Sequence, residues 1–496
     1  MKSTDRLLKS GMAVGILAMS LVLAACSDSD NNDSADLRVI HASPDAPMVN
    51  VKAGSKTVIP NLDYANSSGY VSVRSGTKQV VVEAILPNGE LADVITVPDF
   101  AFGEDVRYNI LAINETASIA PQVVAESATE PGANEVAIAV VHASPAADAA
   151  TAGAPVDVYV TDPAVDITDP SVVPAFSFIY EGVVDAAALP VGNYRIQVTL
   201  NNTKTVVYDS GEVDLSPFAG DKLLIAALDS VTGTERAASP IKLLVANDTD
   251  QVVLLDAGTL IGARVAHFSP DAPAVDVFAN AGKLITAIEY TETFPGNTLP
   301  VAPEYSDYAN IAAGDYEIDV AVAPAASVAT SVYNVPNLSL EAGTEYSIIA
   351  LGSIAAGFNG PGSGDEFGLL PMIDDNRPVV TQASVKILHA APAAGLVDVY
   401  VTPGGQYTRA EVESGLAGEP LLDDFAFGDL TDYVALTPDT AAGYDIRVLT
   451  ATPTPVTAIE VLGFPLPAGV VATVIARQPD GIDSIPADFN LEVLTN

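Results

Sequence analysis

The chain has 496 residues, with 63 acidic side chains against 21 basic ones, a formal net charge of −42, and a composition that is 49% hydrophobic at a mean hydropathy of +0.32. A charge of that sign excludes nucleic acid and anionic lipid headgroups as partners, because binding to phosphate needs a basic face. So many apolar residues beside so much acid describe folded domains with an acidic skin, not a disordered polyanion; solubility in a salty medium is the plain use of such a skin and divalent-cation binding the sharper one.

In chain order, the first element is a leader. Lys2, Arg6 and Lys9 stand against Asp5, and an apolar run of about fifteen residues follows, short of the roughly 20 needed to span a bilayer. This predicts a secretory signal peptide over residues 1–25, cut between Ala25 and Cys26. The run ends Leu23-Ala24-Ala25-Cys26, which resembles the lipobox of bacterial lipoproteins, and the resemblance implies a lipid, palmitate included, at Cys26. Cys26 is the only cysteine, so no disulfide or redox pair competes for it. Residues 26–36 are expected to form the lipidated Cys and a flexible acidic tether. Ser27, by resemblance to enterobacterial lipoproteins, implies the outer membrane over the inner one, facing the periplasm or the exterior.

Beyond the tether the chain repeats itself. All four histidines fall in versions of one motif: His41 in VIHASPDAP, His142 in VVHASPAAD, His267 in VAHFSPDAP and His389 in ILHAAPAAG. The intervals of 101, 125 and 122 residues are each about one domain long. A second strand follows each motif, with alternate valines at Val49 and Val51, Val156 and Val158, Val275 and Val277, and Val397 and Val399. Alternation turns these valines inward and leaves Asn50, Asp157, Asp276 and Asp398 on the other face. Histidine and first valine are eight residues apart in three copies but fourteen in the second, which predicts a lengthened loop there. A glycine then opens another strand (Gly76, Gly192, Gly314, Gly443), and each copy closes near VRYNILAI, KLLIAAL, TEYSIIAL or VVATVIA. Short strands rich in Val, Ile and Tyr between Pro, Gly, Asn and Asp turns predict an all-β protein of four tandem antiparallel β-sandwiches, immunoglobulin-like or transthyretin-like, over residues 37–130, 136–250, 261–375 and 383–496. The segment QVVLLD at 251–256 has no counterpart in the other copies.

A strand ending in HASPDAP, then VDVYV, then GxYxIxV resembles the bacterial domain-of-unknown-function family 4397, whose tandem copies occur in exported proteins. The resemblance covers nearly all of residues 37–496, with departures at Ala146, Ala391 and Ala393. It implies fold and export but no chemistry.

The motif histidines share the strand face of Val39, Val140, Val265 and Ile387, which turns them inward, while Pro44, Pro145, Pro270 and Pro392 fix the chain's exit. A structural role in all four copies is therefore expected, the imidazole bonding turn backbone and Asp45 and Asp271 accepting N–H bonds in the same turn. Zinc would need further His or Cys ligands that no copy offers, and His41, Ser43 and Asp45 lie too close in one turn to stack as a triad. Calcium is the one cofactor considered, at Asp162, Asp166 and Asp169 or at Asp365 and Glu366, although neither loop has the spacing of a calcium hand.

These features predict a non-enzymatic, lipid-anchored envelope or surface protein, structural or ligand-binding, with an unknown protein or glycan partner. Extended end to end, four sandwiches would reach about 150 Å at roughly 3.3 Å per strand residue. The alternatives are a carbohydrate-binding accessory of a secreted enzyme system, using Tyr159, Phe278 and Tyr400 in the absence of any Trp, and a calcium-dependent adhesin.

Overall fold

The computed structural model describes residues 33–127, 129–231, 238–290, 306–358, 366–478 and 489–495. The predicted leader, Ala25, Cys26 and most of the tether lie outside the described residues, as does Asp365. The protein is all-β: among the described residues, eight sheets pack in pairs around four apolar clusters, one for each copy of the motif. No helix among the described residues is long and apolar enough to cross a membrane.

One sheet of each copy is built on the strand that carries the motif histidine: Ser34–His41, Glu135–His142, Ile261–Phe268 and Ala383–His389. This opening strand lies parallel to the closing strand of its own copy, Arg107–Ile113, Lys222–Asp229, Glu345–Leu351 or Val471–Arg477. In the shared register His41 faces Ala112, His142 faces Ala227, His267 faces Ala350 and His389 faces Ala476. The opening sheets are thus mixed, with this one parallel pair in an otherwise antiparallel arrangement in copies 1, 2 and 4, and a second parallel pair, Ser353–Phe358 beside Glu366–Asp374, in copy 3. The second sheet of each copy is antiparallel and centres on the valine strand, Val49–Ala53, Val156–Thr161, Val275–Ala279 or Val397–Pro403. Its valines enter the core as the alternation requires. The strand Gln251–Leu254, without counterpart in the sequence, is a fifth strand that extends the opening sheet of copy 2 beside Ile241–Ala246.

The opening strands are buried along both faces, and this follows from how the copies meet. The outer faces of the opening sheets of copies 1 and 2 stack through Ile40, Leu111, Ile113 and Val124 on one side and Val141, Leu224, Leu228 and Leu244 on the other. Copies 3 and 4 stack in the same way, through Ala266, Phe268, Ile349 and Met372 against Leu388, Ala390, Ile475 and Leu494. Each sandwich therefore has a core of its own and shares a second with its neighbour. The end-to-end rod expected from the repeats is replaced by side-by-side pairs, because a sheet apolar on both faces must cover both.

Candidate functional site

The motif histidines stand on the inner face at the end of the opening strand, as its last residue in copies 1, 2 and 4 and its penultimate one in copy 3, and all are at least 96% buried. In each, Nδ1 accepts from the backbone N–H two residues on: Ser43 at 3.4 Å, Ser144 at 3.4 Å, Ser269 at 3.3 Å and Ala391 at 3.2 Å. An acceptor at Nδ1 leaves the proton of the neutral ring on Nε2. In copies 1, 3 and 4 that Nε2–H donates across the loop to the carbonyl six residues on, Pro47 at 3.0 Å, Pro273 at 3.3 Å and Gly395 at 2.9 Å. An aromatic ring stands within about 6 Å of each imidazole: Tyr64, Tyr180, Tyr290 and Phe427. Burial pushes His41 and His142 below the ordinary imidazole range and His267 down to about 4.

Pro44, Pro145, Pro270 and Pro392 all lie in the loop that leaves the opening strand. Pro145 begins the helix Pro145–Thr151, and Pro392 begins the single 3₁₀ turn Pro392–Ala394. Ser144 caps the helix by accepting from the Ala147 N–H, and Pro at the first helical position costs no hydrogen bond. The longer loop of copy 2 is this helix.

The aspartates of the motif do not bond within their own turn, as the sequence suggested, but reach the far side of the closing strand. Asp45 accepts from the Thr116 N–H at 2.7 Å and its hydroxyl at 2.9 Å; Asp271 accepts from Ser353 Oγ and the Ile354 and Ala355 N–H groups. Copies 2 and 4 have alanine at that motif position, Ala146 and Ala393, and there the bond runs in reverse. Asp229 accepts from Ser144 Oγ and from the Ala146 N–H at 3.1 Å, and Gln478 accepts from the Ala393 N–H at 2.8 Å. Asp229 and Gln478 stand at one position, two residues past the histidine's strand partner, where copies 1 and 3 have Asn114 and Gly352. Gly352 has φ +87, and a Cβ there would lie 2.1 Å from the Glu366 carbonyl oxygen. The carboxylate of copy 3 therefore comes from the loop side.

The polar residues between the inward valines are held internally as well. Asn50, Asp157, Asp276 and Asp398 accept the backbone N–H of Asn61, Asn202, Ala287 and Asp424, and all four donors have φ between 50° and 55°. Each side chain pins a left-handed residue that L-amino acids adopt at a cost.

The loop with Asp162, Asp166 and Asp169 does not gather its carboxylates on a common point. Each caps its own turn, accepting from Ala164, Thr168 and Ser171. Asp398, Asp423 and Asp424 bring carboxylate oxygens within 4.8 Å of one another, a cluster the sequence reading did not single out. Of the three aromatic residues considered for sugar stacking, Tyr159 and Phe278 are buried, and Tyr400 is half-buried.

The most unequal feature among the copies is the space between their sheets. In copy 2 it is a cavity of about 460 Å³, against about 140 Å³ in copy 1 and 30 Å³ in copy 4. Its wall is apolar, with the Val140 to His142 end of the opening strand, Phe176, Phe178 and the Ala147, Ala150 and Thr151 face of the helix. The extra six residues of copy 2 were the sequence signal for it.

Fold and loops together define a tandem all-β protein in which one motif loop is built four times. The chain belongs to the family described as Domain of unknown function (DUF4397), whose profile matches residues 35–153 and 262–400, just over half of its length. No curated protein matches it. Among solved structures, the product complex of a multi-modular glycogen-degrading pneumococcal virulence factor, SpuA, is similar at 10% identity and a TM-score of 0.14. That similarity covers 58% of this chain and 37% of that one.

Proposed function

We propose that this is a lipid-anchored bacterial envelope protein, held through Cys26 in the outer membrane, whose paired β-sandwiches serve as a non-enzymatic scaffold or ligand-binding body with a protein or glycan partner. The observation that carries the non-enzymatic part is the commitment of the motif's polar groups. His41, His267 and His389 use both ring nitrogens on backbone, and Asp45 and Asp271 are spent on the segment that follows the closing strand. A general base needs a nitrogen free to take a proton, and a nucleophile needs that base within reach. The anchor rests on the lipobox and on Cys26 being the only cysteine.

The anchor is tested by expressing the wild type and Cys26→Ala in a bacterium fed a labelled fatty acid. The wild type should carry label and sediment with outer membranes, and the variant should lose both properties. An unlabelled wild type, or a variant retained by the membrane, would overturn the anchor. Hydrolysis of a glycan or ester by the purified protein would overturn the non-enzymatic reading.

A further inference from the structure

We propose that the cavity of copy 2 binds a neutral, mostly apolar molecule with one hydrogen-bond acceptor, such as the ester or ketone end of a lipid, and that the His142 Nε2–H orients it. This goes beyond the envelope role and does not depend on it.

Three observations converge. The first is volume: protein interiors leave few voids larger than a water molecule, and a void of any size left empty destabilises the fold in proportion. About 460 Å³ lies within the range of small-molecule sites, and is roughly three times the ~150 Å³ dry void that admits benzene. The second is the wall, where Val140, Val158, Phe176, Phe178, Val198 and Leu243 present only carbon and the one carboxylate among the lining residues, Asp185, accepts from Ser127 Oγ. The hydroxyls nearby are already engaged, Thr151 Oγ1 with the Asp148 carbonyl and Tyr194 Oη with the Pro190 carbonyl.

The third is the histidine itself. In copies 1, 3 and 4 the imidazole Nε2–H is capped by the carbonyl six residues on. In copy 2 the helix Pro145–Thr151 replaces that stretch, and Nε2 of His142 meets no hydrogen-bond partner among the described residues. The ring is only 4% exposed and lines the cavity, with Nδ1 held as an acceptor by the Ser144 N–H. A buried donor is ordinarily paired, so this one is left for something that enters the cavity. The insertion thus does two things at once: it uncaps the donor and roofs the space with small side chains, Ala147 and Ala150. A single neutral donor pairs with a carbonyl or ether oxygen but does not compensate a buried carboxylate, and the net charge of −42 disfavours an anion further. The head group is therefore neutral.

The experiment titrates the purified full-length protein with Nile red, a neutral dye with one ketone, and displaces it with methyl dodecanoate, dodecane or sodium dodecanoate. One dye per chain is expected, displaced by the methyl ester, with the free carboxylate at least tenfold weaker. Ala147→Phe, which fills the cavity, should weaken dye binding at least tenfold while the unfolding midpoint holds or rises; Ala150→Phe on the same helix replaces it if that variant does not fold. His142→Phe should weaken the ester about 3- to 10-fold, the worth of one hydrogen bond, and leave dodecane unchanged. No binding, several dyes per chain, or binding indifferent to both helix variants would overturn the site. Equal loss of ester and dodecane in His142→Phe, or a carboxylate that competes as well as the ester, would overturn the role of His142 or the neutral head group.

Discussion

His267 shows how a residue that looks catalytic in a sequence is committed by its surroundings. Its Nδ1 takes the Ser269 N–H and its Nε2–H goes to the Pro273 carbonyl, so a second proton would have to displace the Ser269 bond inside a buried site. Replacing His267 by Ala leaves both turn groups unpaired beside a small void and should cost about 1–3 kcal/mol, read as a lower unfolding midpoint. The pH dependence has a definite sign. The folded value of about 4 lies below the unfolded 6.5, so the unfolded chain binds the extra proton first. The stability that His267 contributes is complete above pH 6.5 and is lost as pH falls toward 4, roughly 3 kcal/mol over that window. Denaturant unfolding at pH 7.5 and pH 4.5 should therefore show the gap between wild type and His267→Ala narrowing with acid. A gap that widens would mean that the ring is protonated in the fold. The inward phase of the histidines was legible from Val39, Val140, Val265 and Ile387. The reach of Asp45 and Asp271 was not, because their partners lie 71 and 82 or more residues further along the chain, across a parallel strand pair that local periodicity does not announce.

At the level of elements, the motif loop and the end of the closing strand are tied in every copy, but the acceptor changes sides. Asp45 and Asp271 hold the tie from the loop, while Asp229 and Gln478 hold it from the strand. Burial pushes Asp229 above the usual carboxylate range, with the Ser144 hydroxyl and the Ala146 N–H pulling the other way. Asp229→Ala should unpair both donors and loosen the cap of the helix Pro145–Thr151, a loss of about 2–3 kcal/mol in the unfolding of copies 1 and 2. Asp229→Asn keeps an acceptor and should lose less; equal losses in the two variants would mean that the carboxylate acts by its charge and not by the tie. The strands themselves were readable as apolar runs between turns. The helix was not, since PAADAAT has no apolar stripe beyond its alanines, and its cap Ser144 stands where copies 1 and 3 have Ser43 and Ser269 with no helix following and copy 4 has Ala391.

For the molecule as a whole, the pairing of copies decides what can stand alone. Ile40 and Val141 alternate with inward residues that are equally apolar, and a strand greasy on both faces was the available sign that its sheet is covered twice. The two partners also exchange bonds: Tyr64 of copy 1 donates to the Asp229 carbonyl at 2.7 Å, and Tyr180 of copy 2 donates to Asn114 Oδ1 at 2.5 Å. Arg38 reaches the Asn247 carbonyl of copy 2, and Lys386 of copy 4 reaches the Ile373 carbonyl of copy 3, so scarce cations of an acidic chain are set at the joins. Residues 136–250 expressed alone would leave Val141, Leu224, Leu228 and Leu244 uncovered, at roughly 1.5–3 kcal/mol for each large side chain, and should self-associate on size exclusion. Residues 33–259, which hold both partners, should run as a folded monomer. A monomeric, fully stable 136–250 would show that the shared cluster is dispensable. Arg377, between copies 3 and 4, bonds Asp63 and the Ala46 carbonyl of copy 1, so the second pair is moored to the first at a motif loop. The pairing also sets a rule of parity for any protein assembled this way. Since copies 1 and 3 share one version of the tie and copies 2 and 4 the other, the unit that could be duplicated or deleted without stranding a bare sheet is the couple.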